Sequence, residues 1–393
     1  DYSTAMGSQT TASGARSIAM GFSSTSSGGF STAMGSGTTA SGGNSTAMGN
    51  GTTASGANST AMGFYTTASG SISTAMGYET LASGRASTAL GANTTASGDF
   101  STAIGIGGTT ASGKYSTAMG TSTSASGDVS TAMGGFTTAS GEQSTAMGAG
   151  TIASGGTSTA MGYQSTASGY ASTAMGANTT ASGDFSTAIG RNSIASGTNS
   201  FAIGYGASEE YDPELSSPYY KNEALGSDSF VIGRRNKSSG GKSFSVGNDN
   251  LTSGLGAGSI GENNIASGDY SYSIGLFNQS IGSKSIAIGN NSYADGYATT
   301  AIGSANTIDN NAQNEWSLNN RAFVIGNGVY DESTQQLNRS DALTVLFDGT
   351  TTIAGDLSLN SDARLKANII SLGSTLAKLL QIDGKTYTMK KDE

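Results

Sequence analysis

The densest run of side chains able to make specific polar contacts lies between residues 205 and 226, YGASEEYDPELSSPYYKNEALG. It holds both Pro residues of the chain, and Tyr211, Tyr219 and Tyr220 stand there beside Asp212 and Glu214. Aromatic rings with neighbouring carboxylates can contact a glycan or a cation, and loops on rigid scaffolds often carry binding function. The same segment could equally act as an exposed clasp that braces neighbouring chains. Elsewhere reactive side chains are scarce. The 393 residues include no Cys and no His, which removes disulfides, thiolate ligands, and the commonest metal ligand and general base. That argues against a zinc centre and a Ser-His-Asp hydrolase. No paired carboxylates stand out that would make the chain a polysaccharide-cutting enzyme, and no metal or cofactor is expected.

Composition narrows the partners. The chain carries 60 Gly, 2 Pro and 1 Trp, with 11% charged residues and a net charge of −9. Disordered chains usually hold more charge and more Pro. The negative balance argues against nucleic acid or an anionic membrane as the main partner. No stretch of apolar residues is long enough to span a bilayer as a helix. The chain opens at Asp1 in the middle of a pattern, without Met or a signal peptide, and reads as a fragment or a processed product.

The elements that must position any site are repeats. Residues 1–14 read DYSTAMGSQTTASG, 29–42 GFSTAMGSGTTASG and 170–183 YASTAMGANTTASG. Fourteen such copies run from Asp1 to Gly197, one of them a residue longer (Asp99 to Gly113). Each is two sevens, S-T-A-M-G and T-T-A-S-G, each preceded by two variable residues; degenerate halves such as SDSFVIG and GKSFSVG continue from Ser227 to Gly303. A heptad coiled coil would place Gly at every seventh residue of a helix, at about 1 kcal/mol each. Collagen needs Gly at every third. Strands of about five residues, each ended by Gly at a turn, fit the pattern and predict an all-β parallel β-roll, a solenoid of 14-residue repeats.

Strand alternation puts Ser3 and Ala5 on one face and Thr4 and Met6 on the other. Ala and Ser then fill a narrow interior. The sixth position of every copy is Met, Leu or Ile, and eleven of the twelve Met sit there: Met6, Met20, Met34, Met48, Met62, Met76, Met119, Met133, Met147, Met161 and Met175. Such a column needs a second buried surface, which predicts an oligomer with the Met stripe at the contact. Burying one Met side chain is worth roughly 1.5–3 kcal/mol. At about 4.8 Å per coil the fourteen coils predict a rod on the order of 65 Å long.

S-x-A-x-G alternating with x-x-A-x-G at this period resembles the head repeats of YadA-type trimeric adhesins, over about 270 of the 393 residues. The resemblance implies a left-handed roll, three chains about one axis, and a role in binding surfaces or host molecules. The coiled-coil stalk and membrane barrel that usually follow such a head do not occur in this sequence. Residues 341–369, DALTVLFDGTTTIAGDLSLNSDARLKANI, followed by a Leu-rich stretch and DGKTYTMK, resemble the start of the endosialidase-type intramolecular chaperone of phage tail spikes. In that family the chaperone directs trimer assembly and then cuts itself off. Carried over residue by residue, the cut falls at the Asn360–Ser361 bond, with Ser361 as nucleophile and Lys366 as its activating partner. Ser-Lys pairs can act without His once the Lys is neutral. Ser361 and Asp362 could instead simply cap the following helix, and Ile369, Leu372, Leu376 and Leu379 form one helical stripe suited to a short trimeric coil.

The expected organisation is a head roll over 1–204, an inserted loop over 205–226 and degenerate roll repeats over 227–303. A connector with β-strands over 304–360 and an incomplete chaperone-like segment with a short helix over 361–393 follow. Within 304–322 the single Trp, Trp316, is expected to cap the open core of the roll. The expected function is a homotrimeric fibre or adhesin outside the cell, of a phage, an injection particle or a bacterium. Its partners are other copies of itself, a cell-surface receptor or glycan, and other fibre or baseplate proteins. Recognition is expected at variable turn residues such as Phe64, Tyr65, Phe136 and Tyr163, or in the insert. The rival reading from another class is ice binding, suggested by Thr at the eleventh position of ten copies but interrupted by Leu81, Ile152 and Ile194.

Overall fold

The computed structural model describes residues 2–206, 221–309 and 315–355. Two units divide the chain, Asp1–Thr352 and Ile353–Glu393, and the second is described only over 353–355. The first unit is a parallel β-solenoid. Each repeat makes one coil with a five-residue strand, such as Thr32–Ser36, and a two-residue strand, such as Thr39–Ala40. Long strands pair only with long strands and short with short, in register, so that Met34 faces Met48 and Thr39 faces Thr53. Two parallel ladders therefore run side by side along the solenoid.

The two halves are less alike than their sequences. T-A-M-G-x forms the whole long strand, with its Gly inside rather than at its end, whereas T-T-A-S-G keeps only two strand residues. The short strand stops because its next two amides share one acceptor: Ser41 N–H and Gly42 N–H both donate to the Ala54 carbonyl, at 3.0 and 3.2 Å. That shared bond turns the chain into the next corner.

Side-chain alternation is as the pattern demands. Ser31, Ala33, Thr38 and Ala40 of one coil are fully buried, and so are their equivalents from the second coil onward. Nothing larger than Val231, Val324 or an Asn enters this interior. Thr32, Met34 and Thr39 point outward and are half-buried. A core of methyl and hydroxyl groups contributes about 0.8 kcal/mol per methyl. The coil-to-coil backbone ladder, at a net 0.5–1.5 kcal/mol or so per bond, therefore contributes more than the core does.

Glycine is required where that ladder runs closest. At Gly134 φ is +125° and an added Cβ would run into the Gly148 carbonyl of the next coil. At the neighbouring Gly135 φ is ordinary and nothing stands within 4 Å. Gly134→Ala is expected to cost more than about 2 kcal/mol, and Gly135→Ala less than about 0.5 kcal/mol. Equilibrium denaturant unfolding of the two variants checks this.

Irregularities are absorbed at the corners without loss of register. The extra residue of the long copy enters a corner at Gly107 and Gly108, with φ of +69° and +86°, after which Ile104 still faces Met119. The interruption is narrower than 205–226, because Tyr205 ends one long strand and Asn222–Ala224 forms the next short one. Phe201 then pairs with Phe230 and the roll resumes. In this second block the interior Ser/Thr column is replaced by Asn222, Asn236, Asn250, Asn264 and Asn278, all buried. Asn264 Nδ2 donates to Asn250 Oδ1 at 3.0 Å and to the Gly275 carbonyl at 2.8 Å. Asn278 repeats both bonds one coil on. At Ser24 and Thr109 the hydroxyl donates to the equivalent Gly carbonyl at 3.0 and 2.9 Å, whereas Thr52, Thr66, Thr80, Thr94, Thr123, Thr137 and Thr151 of the same column are buried without a hydrogen-bond partner.

The expected connector begins as one more rung: Arg321–Asn327 pairs in parallel with Thr300–Ser304. Asp341–Leu346 then adds antiparallel and ends the parallel order. Trp316 does not cap the core, for it is 61% exposed. Closure falls instead to polar groups. Arg321 donates to the Thr307 carbonyl at 2.7 Å and stands 3.6 Å from Asp309 and 3.8 Å from Asp341. Beside them Asp295 accepts the Asp309 N–H at 2.6 Å. Burial pushes the Asp295 carboxyl above its ordinary pKa, against the opposing pull of that hydrogen bond and of Arg321. Because the folded state holds this proton more tightly than the unfolded chain, the contribution to stability is full below the unfolded carboxylate pKa. It is lost as pH rises through the folded value. Asp295→Asn is therefore expected to raise the unfolding midpoint at pH 7 and leave it nearly unchanged at pH 3. A lower midpoint at pH 7 would mean that pairing with Arg321 outweighs burial.

Candidate recognition surface

Numbering each coil 1–14 from Asp1, the second and ninth residues sit at its two corners in the left-handed region. Asn44, Asn93 and Asn178 suit that conformation, but Phe30, Tyr65, Phe100 and Phe136 also adopt it, at φ of +52° to +59°. Each such residue costs on the order of 1 kcal/mol. The roll imposes it, because the corner amide still donates to the preceding coil, as from Tyr65 to the Asn50 carbonyl at 2.9 Å. The side chain is thereby thrown outward.

The eighth and ninth residues make one continuous edge. In-register pairing aligns Phe22, Phe64, Tyr78, Ile106, Tyr163 and Tyr205 along it, with Tyr65 and Phe136 immediately beside. The turn residues Phe64, Tyr65, Phe136 and Tyr163 thus fall on a single surface, all exposed, Phe136 at 70%. Phe64 stacks on Tyr78 with ring centroids 5.4 Å apart and meets Tyr65 edge-on at 4.3 Å. The Glu79 carboxylate accepts from the Tyr78 hydroxyl and its charge adds to that bond; together they raise the phenol's pKa above its usual value.

Every departure from the roll opens on this same edge. The coil repeat breaks after Tyr205 and again after Ser304, and the hairpin of Val329–Asp331 and Gln336–Asn338 follows Asn327. Where the first leaves, Arg191 and Arg234 lie over the Tyr205 ring, at 5.5 and 6.0 Å. Arg235 pairs with Asp249 beside them, both nearly buried.

The opposite edge, formed by the first and second residues, uses its charges structurally. Asp99 accepts the Arg85 N–H at 2.9 Å, Asp128 the Lys114 N–H at 2.8 Å, and Asp184 the Tyr170 N–H at 2.9 Å. These carboxylates satisfy corner amides. Among the described residues no group of three or more acidic side chains is placed to hold a metal ion.

Of the sequence candidates, Tyr211, Asp212, Glu214, Tyr219, Tyr220, Ser361 and Lys366 lie outside the described residues. The Met column lies on the outer face of the long ladder and is not buried within one chain: Met6 is 57% exposed, Met119 39%, and Ile288 in the second block 40%. Sequence reasoning missed the corner conformation and the Asn ladder. Both left a signal, Asn recurring at corner positions and Asn at a spacing of fourteen from 222 to 278.

The architecture defines a β-solenoid that carries its variable, exposed side chains at the corners. Residues 1–24, 26–52, 54–80, 82–107, 111–135, 125–151, 153–179, 181–207 and 280–306 match the YadA head domain repeat, which covers more than half of the chain. The chain belongs to the YadA head-repeat family. Residues 361–393 match the chaperone of endosialidase. No curated protein is significantly similar to the chain.

Since the rings of this edge are exposed, replacing Phe64, Tyr65 and Tyr78 together by Ser is expected to change unfolding free energy by less than about 1 kcal/mol per site. Circular dichroism with denaturant titration checks that the edge is free to vary.

Proposed function

We propose that the chain forms a homotrimeric extracellular fibre whose roll acts as a stiff spacer and whose corner edge recognises a surface receptor or glycan. The observation that carries this reading is the half-exposed column of Met, Leu and Ile on the long ladder. One chain alone leaves it in water, and covering the exposed remainder is worth roughly 1 kcal/mol per side chain. Repeated at every coil, that term accumulates along the whole column. Membership of a family of trimeric surface heads supports the same assembly, with the Met stripe at the contact between chains.

The chaperone-like residues 361–393 favour a phage-type tail fibre or an injection-particle fibre, docked to other fibre or baseplate proteins, over a self-secreted bacterial adhesin. In this reading the segment guides trimer formation and then releases itself. The Ser361 hydroxyl attacks the Asn360 carbonyl carbon while its proton passes to a neutral Lys366. The ester forms as the Asn360–Ser361 C–N bond breaks and Ser361 keeps the freed amine. Water then hydrolyses the ester to leave the Asn360 carboxylate. The insert, with Tyr211, Asp212, Glu214, Tyr219 and Tyr220, would add to the recognition edge from which it departs.

Ice binding is favoured by one feature, the outward Thr column from Thr25 to Thr67. Leu81 and Ile152, exposed in the same column, break it.

Light scattering and denaturing mass spectrometry of the full-length protein test the proposal together. The expected result is a trimer with a product ending at Asn360, and an uncut trimer in Ser361→Ala. Met133→Asp with Met147→Asp is expected to yield monomers. An uncut wild-type trimer would remove the Ser361–Lys366 pair and keep the fibre, whereas a wild-type monomer would overturn the assembly.

A further inference from the structure

Near the end of the roll the recognition edge meets the hairpin that follows Asn327, and a cavity of about 390 Å³ opens between them. Its walls are Leu276, Phe277, Asn290 and Asn291 from two successive coils, and Tyr330 and Leu337 from the hairpin. That volume lies at the small end of the range for small-molecule sites, roughly 300–1,000 Å³. We propose that this cavity is a subsite for one neutral pyranose ring of a surface glycan. The inference rests on the fibre reading and assigns a ligand class to one place on its edge.

The chemistry of the walls carries the assignment. Phe277 and Tyr330 are about half exposed, at 48% and 58%. Aromatic rings offered in this way suit the C–H face of a sugar, where apolar contact and the ring's negative face act together. Asn291 Nδ2 donates to Asn290 Oδ1 at 2.8 Å, which locks the two amides side by side. That bond leaves Asn290 Nδ2 as a donor and Asn291 Oδ1 as an acceptor with no protein partner among the described residues. A donor beside an acceptor matches two neighbouring sugar hydroxyls, each of which can both give and take a hydrogen bond.

Charge selects against an acidic sugar. No cation lines the cavity. Asp331, next to Tyr330, has its pKa lowered to about 2 by donation from the Ser333 and Thr334 hydroxyls and by the Ser333 N–H. It is therefore ionised at any physiological pH, one residue from the cavity wall, where it adds negative charge and no cation. The hairpin is held against the solenoid independently of any ligand: Ser340 N–H donates to the Ala305 carbonyl at 3.0 Å and Arg339 to the Asn291 carbonyl at 2.9 Å. The cavity is thus built before a ligand arrives, which lowers the ordering cost of binding.

Saturation-transfer NMR and titration of the full chain with methyl β-galactoside, N-acetylglucosamine and N-acetylneuraminic acid test the proposal. At least one neutral sugar is expected to bind saturably below about 10 mM, and the acid not to bind. Tyr330→Ala, on the exposed hairpin, is expected to weaken binding about tenfold or more with an unchanged unfolding midpoint. Asn290→Ala provides a second variant should the hairpin not tolerate the first. Binding of neither neutral sugar, equal binding of the acid, or unchanged affinity in both variants would overturn the proposal. So would loss of assembly in Tyr330→Ala, since that would give the cavity to a neighbouring chain. Light scattering reads the assembly separately, so that failure of the glycan subsite leaves the fibre reading standing.

Discussion

Successive coils of this protein lie so close that a single atom decides whether they can stack. At the glycine inside each long strand the next coil's carbonyl occupies the space that a Cβ would take, and the backbone adopts a positive φ that other residues resist. The same carbonyl can accept from a side chain of the preceding coil, as Gly35 does from Ser24 and Gly275 from Asn264. Register, strand length and interior polarity therefore follow from one close approach. An interior so narrow admits only Ala, Ser, Thr, Asn and two Val, so every large side chain is driven outward.

That displacement has two consequences, and they lie on different surfaces. On the face of the long ladder it produces a continuous apolar column that a lone chain leaves half-solvated. At the corners it produces exposed rings that meet one another or an Arg side chain and lie outside the interior. One surface suits permanent association between chains; the other suits recognition. The interruptions respect this division, since the chain leaves the roll after Tyr205, after Ser304 and after Asn327, all at the same edge, and the first two leave the long strands on either side paired in register.

The two blocks solve the same interior problem differently. In the first, single hydroxyls reach an inward carbonyl at Ser24, Thr109, Ser165 and Ser193, and seven Thr of the column make no hydrogen bond. In the second, the amides of Asn250, Asn264 and Asn278 each serve both the next coil's Gly carbonyl and the preceding Asn oxygen, so that these side chains form their own ladder beside the backbone. Bonds of this kind polarise one another in a dry interior. This block is the one that must hold register between two excursions.

The fourteen-residue period, the alternation of faces and the small size of the interior residues determined the β-solenoid from the sequence alone, because period-two alternation and an obligatory Gly admit few other folds. The same columns identified Met6 to Met175 as outward and apolar. Tertiary structure decided what depends on coil-to-coil geometry. It showed that T-T-A-S-G keeps only a two-residue strand, since two amides compete for the Ala carbonyl of the next coil. It moved Trp316 to the surface and gave closure to Arg321 and its carboxylates. It also gathered Phe64, Tyr65, Phe136 and Tyr163 onto one edge and set Tyr330 opposite Phe277. Residues far apart in the chain meet there only because the coils stack in register, and no local pattern records that meeting.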